Sequence, residues 1–232
     1  MFYMILEPLG DQAILIRFDD EAAAVTLAAH LRAAALPWIV DIVPAYVTVA
    51  VFFDPAQIRY QDAVEFLNEP AAQARDDPKS LACAAGSFRN FIIPCCYEMG
   101  EDLQLVAEQK QLTVEQLIAL HTSIEFTVYA IGFCPGFPYL GYLPDELAGV
   151  PRLATPRLRT EPGSIAITGR QCGIYPLDRP GGWPVIGRTS LELVNLPAGF
   201  FVFLVGDRVQ FQAIDEKLFH QLRGKRPVYQ AK

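Results

Sequence analysis

Hydrophobic positions in the first third of the chain alternate between two periods. "AILIRF" (13–18) is apolar and rich in β-branched residues, which predicts a strand. Asp19 and Asp20 then stand as N-cap candidates before "EAAAVTLAAHLRAAAL" (21–36), an alanine-rich helix that Pro37 stops. "WIVDIV" (38–43) and "YVTVAVFF" (46–53) predict two further strands punctuated by Pro44, hence a close antiparallel pair. A helix over 60–68 ends ahead of Pro70, which has no amide to continue it and biases Glu69 away from helical geometry. The β-α-β-β-α order predicts an α+β sandwich over residues 1–80, with helices on one face of an antiparallel sheet.

The pattern breaks in "RDDPKSLACAAGS" (75–87), which reads as a linker. A second, mainly-β domain over residues 88–232 opens with the strand "FRNFIIP" (88–94) and two short helices. The second helix begins at Thr113, where "TVEQ" has capping-box spacing. His121 falls at its end, where the dipole favours a cation. Beyond Glu125 the helical pattern gives way to "FTVYAIGF", "SIAITG", "CGIYPL", "LELVNL", "FVFLVG" and "RVQFQAI", short strands that predict a closed or nearly closed barrel. Prolines crowd the connections and stiffen them. Stiff aromatic loops beside a barrel make a natural ligand site.

Composition narrows the function classes. The 232 residues suffice for two small domains, each with its own core. A formal charge of −7 without a Lys/Arg cluster excludes a nucleic-acid surface and leaves proteins and small molecules as partners. No basic segment precedes an apolar run at the N-terminus, and Phe200 to Val205 is far shorter than the ~20 residues of a membrane helix. A cytoplasmic protein with no membrane partner is expected. Five cysteines, with Cys95 and Cys96 adjacent and no C-x-x-C, match neither a disulfide framework nor a zinc site, so reduced thiols and no metal ligand set are expected.

Three features bear on chemistry. "GWPVIGRT" (182–189) approaches the phosphate-loop pattern, but a strand-like segment follows it and Trp183 and Pro184 fill positions that need free amides, so a nucleotide loop is rejected. Arg157, Arg159, Arg170, Arg179 and Arg188 crowd one Pro/Gly-rich region. They suit a carboxylate or other anion, or else pair locally with acids such as Glu161 and Asp178. Phe133, Phe137, Tyr139, Tyr142, Tyr175 and Trp183 either wall a pocket or pack the barrel end. Cys134 lacks an evident base, with His121 the sole candidate partner, and reads as filler rather than a nucleophile. His121 itself is either a helix-end cap or a general base.

"ALHTSIEFTVYAIGFCPGFPYLGYLP" (119–144) followed by "PRLATPRLRTEPGSIAITGRQCGIYPLDRPGGWPVIGRT" (151–189), with "CYEMGEDLQLVA" and "LTVEQLIALH" upstream, resembles the signature of the KipI / allophanate hydrolase subunit 1 family, whose members are described as the B-type component of bacterial 5-oxoprolinase. The resemblance implies an N-terminal α/β domain followed by a cyclophilin-like barrel. It implies a KipA-type (C-type) partner and a third subunit, with which such proteins hydrolyse 5-oxo-L-proline to L-glutamate at the expense of ATP. Two other roles occur among relatives: inhibition of a sporulation histidine kinase and a carboxyltransferase part in urea carboxylase. Carried onto this sequence, it suggests His121, Arg157 and Arg188 as catalytic residues, the arginines facing developing negative charge. Phe137, Tyr139, Gln171, Tyr175, Trp183 and Thr189 become candidates for binding substrate or partner. Two positions depart from the family pattern: Cys172 stands where threonine is expected, and "LELVNL" replaces a Leu-Phe-Asp ending. Both bear on which substrate is taken.

Overall fold

The computed structural model describes residues 4–77 and 88–230. The chain divides into two compact units, residues 1–88 and 89–232.

In the first unit, β1 (Met4–Pro8), β2 (Ala13–Phe18), β3 (Ile39–Ala45) and β4 (Thr48–Phe53) form an antiparallel sheet in the order β1-β2-β4-β3. Strand β1 is an addition to the expected β-α-β-β-α order. Its five residues precede a Gly10 turn at positive φ and are too short and too evenly half-buried to show alternation. The helix α1 (Glu21–Ala34) starts where the aspartate pair predicts, with the Asp20 carboxylate accepting from the Ala22 and Ala23 amides at 2.5 and 3.3 Å. Its buried face, Ala24, Leu27, Ala28 and Leu31, packs with Ile14, Ile16, Val49 and Val51.

Two prolines lie inside elements they were expected to punctuate. The helix α2 (Tyr60–Asp76) runs through Pro70 instead of ending before it, and Pro44 lies inside β3, opposite Val49. In α2 the positions Ala63, Leu67, Ala71 and Ala74 are all fully buried, so apolar packing continues past the proline and outweighs one missing backbone hydrogen bond. Of the expected linker, Arg75 and Asp76 are helical and residues 78–87 lie outside the described residues.

The second unit holds β5 (Asn90–Cys95), a 3-10 turn at Tyr97–Met99, α3 (Leu103–Gln109), α4 (Val114–Ser123), β6 (Glu125–Ile131) and β7 (Pro138–Gly141). It continues with β8 (Arg157–Thr160), β9 (Ser164–Thr168), β10 (Gln171–Ile174), β11 (Arg179–Gly181) and β12 (Val185–Arg188). The last elements are β13 (Val194–Asn195), β14 (Phe200–Phe201), β15 (Arg208–Ala213), α5 (Glu216–Gln221) and β16 (Tyr229–Gln230). The capping box on α4 is complete: the Gln116 amide donates to Thr113 Oγ1 and the Thr113 amide to Gln116 Oε1.

The strands β5-β15-β6-β7-β10-β9-β12 form one continuous ladder, antiparallel except for β5 with β15. Its far edge returns to its start, because Cys96 and Arg188 exchange backbone hydrogen bonds of 2.8 and 3.0 Å. That bridge closes the sheet on itself. Expected strands "LELVNL" and "FVFLVG" shrink to the two-residue pair β13/β14, and α5 shows that helices do not cease after Glu125.

Candidate functional site

Strand register builds one concave surface of the second unit. Tyr139 on β7 faces Gly173 on β10, Gly173 faces Ala166 on β9, and Ala166 faces Val185 on β12. This row places the two smallest side chains at its centre, and the rings of Phe137, Tyr175 and Trp183 fill the space above them. A Cβ on Gly173 would stand 2.6 Å from Phe137 Cζ and 3.2 Å from Trp183 Cζ3, so glycine is what lets the rings approach the sheet. Phe137 meets Tyr139, Tyr175 and Trp183 edge-to-face, with centroids 5.0, 5.1 and 5.8 Å apart.

The segment from Gly132 to Phe137 is closed by its own backbone: the Gly132 amide donates to Phe137 O and the Phe137 amide to Cys134 O, both at 3.1 Å. Phe133 adopts φ 64° and stays 59% exposed while touching Phe137 and Tyr175 edge-on. A bulky residue held left-handed at a cleft rim is an arrangement met at binding sites. Trp183 is fixed from both flanks, Gly182 O accepting from the Leu153 amide and Pro184 O from the Ile167 amide.

The result is a cleft of about 170 Å³ lined by Phe133, Phe137, Tyr139, Tyr175 and Trp183, with Arg152, Pro156, the Pro180–Gly181 end of β11 and Gly182 completing it. Burial raises the pKa of the Tyr139 and Tyr175 hydroxyls; the Arg152 charge opposes this at Tyr139, and at Tyr175 a hydrogen bond with the Trp183 backbone opposes it first and the Arg152 charge second. Cys134 forms part of the wall; burial raises its thiol pKa and the Arg179 guanidinium opposes this.

The sequence-derived candidates divide. Phe137, Tyr139, Tyr175 and Trp183 come together in the cleft. Gln171 begins β10 opposite Gly141 and Thr168, and Thr189 is buried with its amide on Gly163 O; neither lines the cleft. Arg157 is held by Glu101 and Asp102 at 3.1 and 2.6 Å, and Arg188 by Glu161 Oε2 at 3.0 Å and Pro162 O at 2.9 Å. Arg159 joins Asp178 and Glu161 at 2.6 and 3.3 Å. The local-pairing alternative thus holds for these three, and their charges are already answered by carboxylates. Asp102 also accepts from the Val185 amide at 2.7 Å, tying α3 to the strand behind the cleft.

His121 is neither a cationic cap nor exposed to a substrate. It is fully buried, stacked on Phe211 at 4.6 Å, with Nδ1 2.6 Å from the Tyr97 hydroxyl and Nε2 3.5 Å from Cys172 Sγ. Burial lowers its pKa to about 3, so the ring is neutral. The α4 helix is amphipathic around Leu117 and His121, and its last turn faces the core where the dipole argument assumed solvent. Cys172, in the place of the expected threonine, serves this buried chain and not the cleft.

Arg152 escaped sequence reasoning. Both Pro151-Arg152 and Pro156-Arg157 present the same dipeptide, and only the folded contacts separate the paired arginine from the one facing the cleft. Among the described residues no three His, Cys, Asp or Glu side chains gather as metal ligands, and no helix is long and apolar enough to cross a membrane. The segment 182–189 forms β12 and its approach, with no helix after it, so it is not a phosphate loop.

Comparison with known proteins places this architecture. The family model of the carboxyltransferase domain, subdomain C and D, matches residues 4–198. The chain belongs to that family. A curated relative in Bacillus subtilis, the B-type component of 5-oxoprolinase, is 36% identical, the alignment covering 93% of this chain and 95% of that protein. The protein of the same name in Escherichia coli O157:H7 is also 36% identical, covering 88% of this chain and 93% of its own. Among solved structures, TTHA0988 superposes with a TM-score of 0.74 at 31% identity over 88% of this chain, which spans 40% of that longer one. These matches agree with the KipI-type resemblance read from the motifs.

Proposed function

We propose that this chain is the B-type component of an ATP-dependent 5-oxoprolinase, a cytoplasmic complex with a KipA-type (C-type) protein and a third subunit that hydrolyses 5-oxo-L-proline to L-glutamate. The observation that carries this reading is the near end-to-end match, at 36% identity, to a protein bearing that name. The cleft supports it: aromatic walls suit a small ring, and a stiff frame loses little entropy when the ring docks. We read the closed sheet as the cyclophilin-like barrel that the family resemblance implies. ATP in this reading is bound by the assembled complex. With Arg157 and Arg188 engaged by carboxylates and His121 buried, the chain alone is expected to be inactive.

The test is co-expression with the two companion proteins, followed by glutamate release from 5-oxo-L-proline with and without ATP. ATP-dependent glutamate from the complex, and none from this chain alone, is the expected result. A correctly assembled complex that yields no glutamate would overturn the proposal. The family's carboxyltransferase description favours a second reading, transfer of a carboxyl group from a biotin-carrying partner. That reading requires carboxylated product to appear only when such a partner is present.

A further inference from the structure

The charge around the cleft is one-sided. Arg152 is the charged side chain among the lining residues, no Asp or Glu joins it there, and the other guanidinium near the wall, that of Arg179, lies against Cys134 and donates to Asp178 O. Neighbouring arginines 157, 159 and 188 are each neutralised by a carboxylate within 3.3 Å, whereas the ion pairs among the described residues do not include Arg152. The residue is exposed, and its charge acts on both Tyr139 and Tyr175 across the cleft. A guanidinium presents two parallel N–H donors that match a carboxylate's two oxygens. The rings of Phe137 and Trp183, meanwhile, offer an apolar face and no counter-charge.

We propose that Arg152 is the specificity-determining residue of this cleft, pairing with the carboxylate of a small cyclic acid whose ring lies against the aromatic wall. The inference rests on the cleft being the substrate site of the proposed hydrolase. It explains how the complex would tell 5-oxo-L-proline from an uncharged lactam of the same ring size: the amide is common to both, and the carboxylate alone separates them. Arg152 thus selects the substrate and takes no part in bond breaking.

The test compares 5-oxo-L-proline with 2-pyrrolidinone, the same ring without the carboxylate, against the full chain and the reconstituted complex. Trp183 in the cleft wall gives a fluorescence signal, with a Trp38→Phe background removing the other tryptophan. Arg152→Ala is expected to weaken 5-oxo-L-proline binding by about 10- to 100-fold, the range of a charge-assisted hydrogen-bonded pair. It should leave 2-pyrrolidinone binding unchanged, and Arg152→Lys should recover part of the loss. In the complex the effect should fall on KM, not kcat. Equal loss for both ligands, or no loss for either, overturns the inference, as does normal KM in an active Arg152→Ala complex. If the wild-type complex makes no glutamate while carboxylate binding still depends on Arg152, the hydrolase reading fails and the assignment of Arg152 stands.

Discussion

Acidification should destabilise the second unit through a single side chain, His121. Its ring is fully buried between Phe211 and Phe126, and its two nitrogens meet only a tyrosine hydroxyl and a thiol. Neither partner can neutralise an imidazolium, so burial holds the folded pKa near 3 against 6.5 for the free side chain. Above pH 6.5 the ring is neutral in both states and contributes no pH dependence. Below 6.5 the unfolded chain takes up a proton that the folded chain refuses, and stability falls by ~1.4 kcal/mol per pH unit until the folded pKa is reached. Between pH 7 and pH 5 the loss attributable to His121 is about 2 kcal/mol. The assay is urea unfolding at pH 7, 6 and 5 for the native chain and His121→Phe. The variant leaves the Tyr97 hydroxyl without its partner and is expected to be less stable at pH 7 by ~1–3 kcal/mol. Carboxylates and the other two histidines are common to both proteins, so their titration cancels. The stability gap between native and variant should therefore shrink by about 2 kcal/mol from pH 7 to pH 5. A gap that stays constant, or an NMR titration of His121 with a midpoint near 6, would refute the argument.

Other outcomes follow from the same contacts. Arg89 holds the buried Asp207 through Nε at 3.0 Å and Nη2 at 2.5 Å while also donating to Val202 O at 2.8 Å. Arg89→Ala should cost ~3–5 kcal/mol in urea unfolding because it strands a buried carboxylate, and a loss below ~1 kcal/mol would contradict that. Gly173→Ala drives a methyl group into Phe137 and Trp183, so a shifted Trp183 emission and ligand binding lost by at least ~10-fold are expected, with an unmoved spectrum the contrary result. Pro70→Ala restores an amide inside α2 and should raise stability by up to ~3 kcal/mol, whereas a lower unfolding midpoint would show that the proline is needed where it stands.

Local chemistry was legible in the sequence wherever a short run of residues carries its own energy. The strand at 13–18, the Asp20 cap, the Thr113–Gln116 capping box and the rejection of 182–189 as a phosphate loop all depend on interactions within a few residues. The dense motif from residue 119 to 189 likewise pointed to the family, because the turn prolines and glycines that shape the cleft are contiguous in the chain. Decisions that weigh distant groups against one another were not legible. Packing by Leu67, Ala71 and Ala74 carried α2 through Pro70, and a core that closes over the end of α4 made His121 a neutral interior ring. Which arginine is free depended on where Glu101, Asp102, Glu161 and Asp178 came to lie, since ion pairing acts through space and not along the chain. The sequence by itself determined the local caps, the strand at 13–18 and the aromatic inventory of the site, and tertiary structure alone decided which arginines carboxylates hold and that Arg152 lines the cleft.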